Sequence, residues 1–123
     1  MIPENVKKLM RKGRIVFLAT SSKGCIPNLI AAEFCGLCDG KMLIADCHFS
    51  KTLANLKENP IASILLTNNK EYFQLKGALE YFVTGKYFDK VCKICEGTPY
   101  KAKGAVLISI NEIYNLNTYE KLL

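Results

Sequence analysis

A mainly β fold of the α+β class, a six-stranded antiparallel barrel with short flanking helices, is what this sequence predicts, and three observations carry it. Apolar, β-branched runs recur along the chain and are joined by the turn clusters Ser21-Ser22-Lys23-Gly24, Asp39-Gly40 and Asn68-Asn69-Lys70, so successive strands pair as hairpins. Closing such a sheet on itself removes its exposed edges, which favours a barrel over the alternative, an open α+β sheet. No Gly-rich loop joins a strand to a helix, which argues against a doubly wound nucleotide-binding fold.

The elements follow in order. Pro3, Glu4, apolar Val6, Leu9 and Met10, and then Gly13 predict a short helix near residues 4 to 12. Arg14 to Thr20 is the first strand, and Ile26 to Cys38 is a long second one. Asp39-Gly40, the strongest short hairpin signal, turns it into a third strand, Lys41 to Cys47. A helix near residues 50 to 58 stops at Asn59, because the residue before Pro60 is pushed out of the helical region. Ile61 to Thr67 and Glu71 to Thr84 are strands four and five, and Gly77 marks a bend or a close backbone approach. Tyr87, Phe88, Val91, Cys92, Ile94 and Cys95 share one face of a helix near residues 86 to 96, closed by Gly97. Gly104 to Ile110 is the last strand, Asn111-Glu112 begins a short turn or helix toward Leu116, and Asn117 to Leu123 carries no clear pattern.

The 123 residues suit a single domain, residues 1 to 123. The apolar residues, 50% of the chain, are spread along its length and show no repeat. The longest apolar runs, Ile15 to Ala19 and Ile61 to Leu66, fall well short of the roughly eighteen residues a membrane span needs. Met1-Ile2-Pro3-Glu4 lacks the basic and apolar regions of a secretory signal, so the expectation is a cytoplasmic protein with no membrane association. The net charge of +6 comes mainly from scattered Lys, with Arg only at Arg11 and Arg14. Without a basic patch or interleaved stacking aromatics, that balance does not point to nucleic acid; a small anionic ligand would benefit equally from the diffuse positive field.

The six cysteines include two pairs at metal-like spacing, Cys35 with Cys38 and Cys92 with Cys95. Residues three apart on an unbroken strand point to opposite faces, so Cys35 and Cys38 are expected to be a poor ligand set. Cys92 and Cys95 lie on one helical face, which serves core packing as well as it serves a metal. Buried free thiols and no metal site are the expectation; a cysteine-rich metal protein is the competing reading. His48, the only histidine, is read as a flank of the site described next.

The stretch from Asp46 to Pro60 organises the chain's chemistry. The first N–H groups of a helix have no partner within it and carry the positive end of its dipole, so a phosphate there satisfies both deficits. Lys51 adds a full charge, and Ser50 and Thr52 add hydroxyl donors. The structural alternative is that Ser50 is a plain N-cap and Lys51 a solvated charge.

The motif order resembles the pyridoxamine phosphate oxidase-like family of FMN-binding split barrels, in particular its small FMN-binding proteins. The resemblance covers about residues 4 to 116. Its carriers are Thr20-Ser21-Ser22-Lys23-Gly24-Cys25-Ile26-Pro27, Asp39-Gly40-Lys41-Met42-Leu43-Ile44-Ala45 and, most specifically, Ser50-Lys51-Thr52-Leu53-Ala54-Asn55-Leu56-Lys57-Glu58-Asn59-Pro60. Lys76-Gly77-Ala78 and Ala102-Lys103-Gly104-Ala105-Val106 sit where the family has similar residues. What the resemblance implies is an FMN-dependent oxidoreductase or electron carrier, a homodimer with FMN at the subunit interface, and an unidentified small-molecule redox partner. It implies that Ser50, Lys51 and Thr52 hold the phosphate, and that Asn28, Leu29, Ile30, Ala31, Ala32, Ala45 and Asp46 lie along the flavin, largely through backbone. No side chain is expected to act as acid or base. Many members carry two basic residues in the phosphate segment, where this chain has Lys51 followed by Thr52. The basic and histidine residues of the longer C-terminal part of the full-length oxidases are not matched before Leu123, so that activity does not carry over. Deazaflavin-binding and haem-binding relatives of the fold are the alternatives.

Overall fold

The computed structural model describes residues Met1–Leu123. Its elements are α1 (Glu4–Lys7), β1 (Ile15–Ser21), β2 (Pro27–Cys38), β3 (Lys41–Asp46), α2 (Lys51–Glu58), β4 (Ile61–Thr67), β5 (Tyr72–Phe82), α3 (Lys86–Cys95) and β6 (Gly104–Asn115). The strands close into an antiparallel barrel in the order β1-β2-β3-β6-β5-β4, with β4 pairing back onto β1. The six-stranded antiparallel barrel and its three short helices are therefore as expected.

Strand alternation divides the apolar residues between two cores. Val16 and Leu18 of β1, Phe34 of β2, Met42 and Ile44 of β3, Ile64 and Leu66 of β4, Phe73 and Leu75 of β5 and Val106 and Ile108 of β6 fill the barrel. Their outward neighbours Cys35, Leu43, Ala45, Ala105 and Leu107 form a second, smaller cluster, which α3 covers with Val91. The start of α3 is tied to the β2–β3 turn, where Lys86 Nζ and Tyr87 Oη each donate to Asp39 Oδ2 at 2.8 Å. Asp39 and Gly40 both have positive φ, 54° and 76°, as a two-residue hairpin turn of the primed type requires.

Three local expectations are corrected. The opening helix stops at Lys7; Leu9 and Met10 continue as tighter turns bonding to the Val6 and Lys7 carbonyls. β6 does not end at Ile110: Asn111 and Glu112 stay in the strand, and Glu112 pairs with Lys76. A register shift between Lys76 and Gly77 accommodates the irregularity, and a Cβ on Gly77 would overlap the Ser109 carbonyl, which is the close approach expected of that glycine. β2 carries a bulge between Phe34 and Leu37, centred on Gly36 with φ 109°. Phe34 and Leu37 consequently both pack on the barrel core, while Cys35 joins the outer cluster and Cys38 lies near Lys86 and Tyr87. The bulge inserts one residue and so resets the alternation. Cys35 and Cys38 thus share the α3 side instead of pointing to opposite faces. The tail, which carries no clear sequence pattern, folds back on β6: Tyr114 bridges to Lys121, and Leu122 and Leu123 pack on the barrel core.

The pairing also shows where the barrel opens. Pro27 to Glu33 of β2 pair with β1 alone, and β2 meets β3 only from Phe34 onward. Ala45 and Asp46, at the far end of β3, pair with β6 alone. The two strands diverge there, and α2, which follows β3, packs into the gap against β1 and β2.

Candidate functional site

A cavity of about 510 Å³ lies in this gap, lined mainly by apolar residues, and its size is that of a small-molecule or cofactor site. One wall comes from β1 and β2, with Ile15, Asn28, Ile30, Ala31, Ala32 and Glu33. The other comes from β3 and the loop after it, with Ala45, Cys47, His48 and Phe49, and Ser50, Lys51 and Thr52 form one end. Tyr100 reaches over from the α3–β6 connection and sets its ring edge-on to His48, centroids 6.0 Å apart.

Three amide-to-hydroxyl bonds seat α2. Asn28 Nδ2 donates to Thr52 Oγ1 at 3.0 Å, Asn55 Nδ2 to Thr20 Oγ1 at 3.1 Å, and Asn59 Nδ2 to Ser21 Oγ at 3.2 Å. Asn55 and Thr20 are both buried, so this pair fixes helix orientation where an unpaired amide would be costly. The seated helix presents an open N-terminus, because Ser50 makes no side-chain capping bond. The first free N–H groups of α2 therefore retain their capacity for an external acceptor. Lys51 is exposed beside them, and Thr52, accepting from Asn28, keeps its own proton to donate.

The loop ahead of α2 is held from below. Asp46, fully buried, accepts from the Phe49 N–H at 2.8 Å through Oδ1 and from Tyr81 Oη at 2.5 Å through Oδ2. Burial, and then the bond to Asp46, raise the Tyr81 hydroxyl above the usual tyrosine range, so it stays a donor. Lys103 Nζ donates to the Phe49 carbonyl at 2.6 Å and stands 3.9 Å from Asp46 Oδ1.

Of the residues singled out in the sequence, Ser50, Lys51, Thr52, Asn28, Ile30, Ala31, Ala32 and Ala45 line this one cavity. Leu29 and Asp46 do not. Leu29 is turned outward and 68% exposed, and Asp46 points inward and positions the loop. His48 flanks the Lys51 end. Ile15, Glu33, Cys47, Phe49 and Tyr100 were not anticipated. Ile15 and Glu33 are register partners, so strand alternation carried a signal for them; Tyr100, far off in sequence, had none. No three His, Cys, Asp or Glu side chains are placed to hold a metal ion.

The family described as pyridoxamine 5'-phosphate oxidase matches residues 2–116. The chain belongs to that family. An uncharacterized protein of Methanocaldococcus jannaschii, MJ0282, is 41% identical over 125 residues, covering 94% of this chain and 80% of that protein. Among solved structures, HupZ of Group A Streptococcus superposes with a TM-score of 0.89 at 20% identity over 100% of both chains. An FMN-binding protein of Syntrophomonas wolfei subsp. wolfei gives 0.72 at 21% identity over 91% of this chain and 88% of its own. The heme storage protein HutZ of Vibrio cholerae (0.71, 13% identity, 94% and 95% covered) and an F420 reductase (0.70, 17%, 91% and 98%) have the same fold. At such identities these structures establish the split-barrel fold alone.

Proposed function

We propose that this chain is a flavoprotein that holds FMN in the groove between β2 and β3, and that it works as an oxidoreductase or electron carrier with a small-molecule partner. The observation that carries the reading is the uncapped N-terminus of α2, opening with Lys51 into a mainly apolar cavity. That arrangement suits a ligand with an anionic end and a flat apolar body. The phosphate would meet the N–H groups after Ser50, Lys51 Nζ and the Ser50 and Thr52 hydroxyls; the ring would lie along Asn28 to Ala32 and Ala45. When bound, FMN would supply the redox chemistry, and the chain's own residues bind, orient and partly shield it. The FMN-binding relative of the same fold supports the choice.

The working unit in this reading is a homodimer with FMN at the subunit interface. Ile15, Phe17, Ala19, Leu29, Ile61 and Leu65 turn their side chains to the outside of β1, β2 and β4 and form an apolar face beside the groove. Leu29 and Ile61 are 68% and 58% exposed. A second copy would cover this face and narrow the groove. Six free thiols suit a reducing, cytoplasmic setting. No helix is long and apolar enough to cross a membrane, a statement about helices only.

A second reading, haem, is favoured by one observation: the only histidine, His48, lines the cavity with Tyr100, and both are residue types that ligate haem iron. The visible spectrum of the protein titrated separately with FMN, haem and a deazaflavin separates the readings. Saturable, stoichiometric binding of FMN supports the proposal, and stoichiometric binding of haem or deazaflavin with none of FMN overturns it.

A further inference from the structure

A second cavity, of about 420 Å³, lies on the outer face of the barrel and shares no residue with the first. The strand register builds it. Ala19 of β1 faces Ser63 of β4, Ser63 faces Lys76 of β5, and Lys76 faces Glu112 of β6, one row across four strands. β6 then bulges: Gly77 pairs with Ile110, and Asn111 is left without a cross-strand partner. Ile110 and Ile113 both pack on the barrel core. The two polar residues between them, Asn111 and Glu112, therefore both turn outward and line the cavity. A regular strand would have sent one of the two inward. The small side chains of Ala19 and Ser63 keep the centre of the row low, between Ile61 on one side and the longer Lys76 and Glu112 on the other.

Charge decides what the cavity can hold. Lys76 and Glu112 are register partners of opposite sign, yet neither takes part in the chain's ion pairs. Tyr114 holds them apart: the Lys76 ammonium stands 5.7 Å from the centre of its ring, and its hydroxyl donates to Glu112 Oε2 at 3.4 Å. A simple cation is repelled by Lys76 and a simple anion by Glu112. A molecule that carries both charges on neighbouring atoms suits both side chains, because cross-strand neighbours stand about 5 Å apart at Cβ. The Asn111 amide can donate and accept, and the Ser63 hydroxyl adds a donor. Ser21 Oγ already accepts from Asn59, so its proton is also free to be donated. Ala19 and Ile61 supply an apolar side.

We propose that this cavity binds a free α-amino acid with an apolar side chain. Its carboxylate meets Lys76 and the Ser63 hydroxyl, its ammonium meets Glu112 and the Asn111 side-chain carbonyl, and its side chain lies against Ala19 and Ile61. The site makes no use of the flavin reading and stands apart from it. Ala19 and Ile61 also belong to the apolar face of β1, β2 and β4, so the competing occupant is a side chain of a second copy.

The probes are leucine and two compounds that each lack one of its charges, isocaproate without the ammonium and isoamylamine without the carboxylate. Each is titrated into the full isotope-labelled chain, without FMN, and backbone amide shifts are followed by NMR. Leucine is expected to saturate, with the largest shifts at Ser63, Lys76, Gly77, Asn111 and Glu112. Each truncated compound should bind at least about tenfold more weakly, the loss that goes with one contact to a charged group. Lys76→Met and Glu112→Gln should each weaken leucine by a similar factor, and Lys93→Met, an exposed change on α3, should leave it unchanged. Circular dichroism confirms that each variant is folded; if one is not, the three-ligand series on the wild type decides alone. No binding of leucine, equal binding of the three compounds, shifts away from the cavity, or leucine binding untouched in both cavity variants overturns the proposal. Shifts at these amides that follow protein concentration and not leucine mean that a second copy fills the cavity, and they overturn it as well.

Discussion

The hydroxyl of Tyr81 donates to Oδ2 of Asp46 across 2.5 Å, and through the other oxygen of that buried carboxylate it is coupled to the Phe49 N–H one residue ahead of Ser50. β5 thereby braces the loop from which α2 springs. Tyr81→Phe removes one hydrogen bond to a charged acceptor, and unfolding in urea should show a loss of about 1.5–3 kcal/mol. FMN affinity should fall with it, because the loop loses its support. Unchanged stability would mean that the bond does not brace the loop.

Gly77 tests the bend where β5 changes register against β6. A Cβ there would overlap the Ser109 carbonyl, which is backbone and cannot swing aside. Gly77→Ala should cost about 1–3 kcal/mol, as overpacking commonly does. Gly24→Ala is the control: its Cβ would meet only Ser22 Oγ, at an ordinary 3.6 Å. Equal thermal midpoints for the two variants would contradict the close approach.

Alkaline pH should loosen the fold. Burial, the leading cause in both, pushes the Cys35 and Cys47 thiols from a usual 9.0 up to about 11. Their folded values are raised, so the folded state holds protons that the unfolded chain has already released. Stability is then complete below about 9.0 and declines as pH rises toward 11. Urea midpoints measured across that window should fall, and less steeply in Cys35→Ala than in wild type. Identical slopes would show that these thiols are not differentially protonated.

The apolar face of β1, β2 and β4 should respond to a charge at its centre. Phe17→Glu places a carboxylate between Ala31 and Leu65, its register partners on either side. Light scattering should show a dimer for wild type and a monomer for the variant, with an unchanged circular dichroism spectrum, since Phe17 contributes nothing to the barrel core. A monomer in both, with FMN present, would contradict the shared-site arrangement.

Much of this architecture was legible because its signals are local. Asp39-Gly40 specifies a primed turn on its own, Pro60 stops α2, and the one-sided apolar face of residues 86 to 95 declares α3. The features that escaped are set by contacts between distant segments. Asn111 and Glu112 look like a turn, yet cross-strand pairing with β5 keeps them extended. Gly36 gives no warning of a bulge, although the bulge decides which way Cys38 faces. That Ser50, Lys51 and Thr52 line the cavity could be read because helix start, charge and hydroxyls are consecutive in sequence. The inward turn of the Asp46 side chain was not legible because nothing near it announces Tyr81, and Tyr100 was missed for the same reason.

The central claim, that the start of α2 seats a phosphate, is tested most directly by titrating FMN and riboflavin into wild type and Lys51→Ala. Lys51 is exposed at a helix start, so the variant should keep its fold. Loss of a charge-assisted bond worth roughly 1.5–3 kcal/mol should weaken FMN by about one to two orders of magnitude. Riboflavin, which lacks the phosphate, should bind both proteins alike. An equal loss for both ligands, or no loss for FMN, would place the phosphate elsewhere and contradict the account.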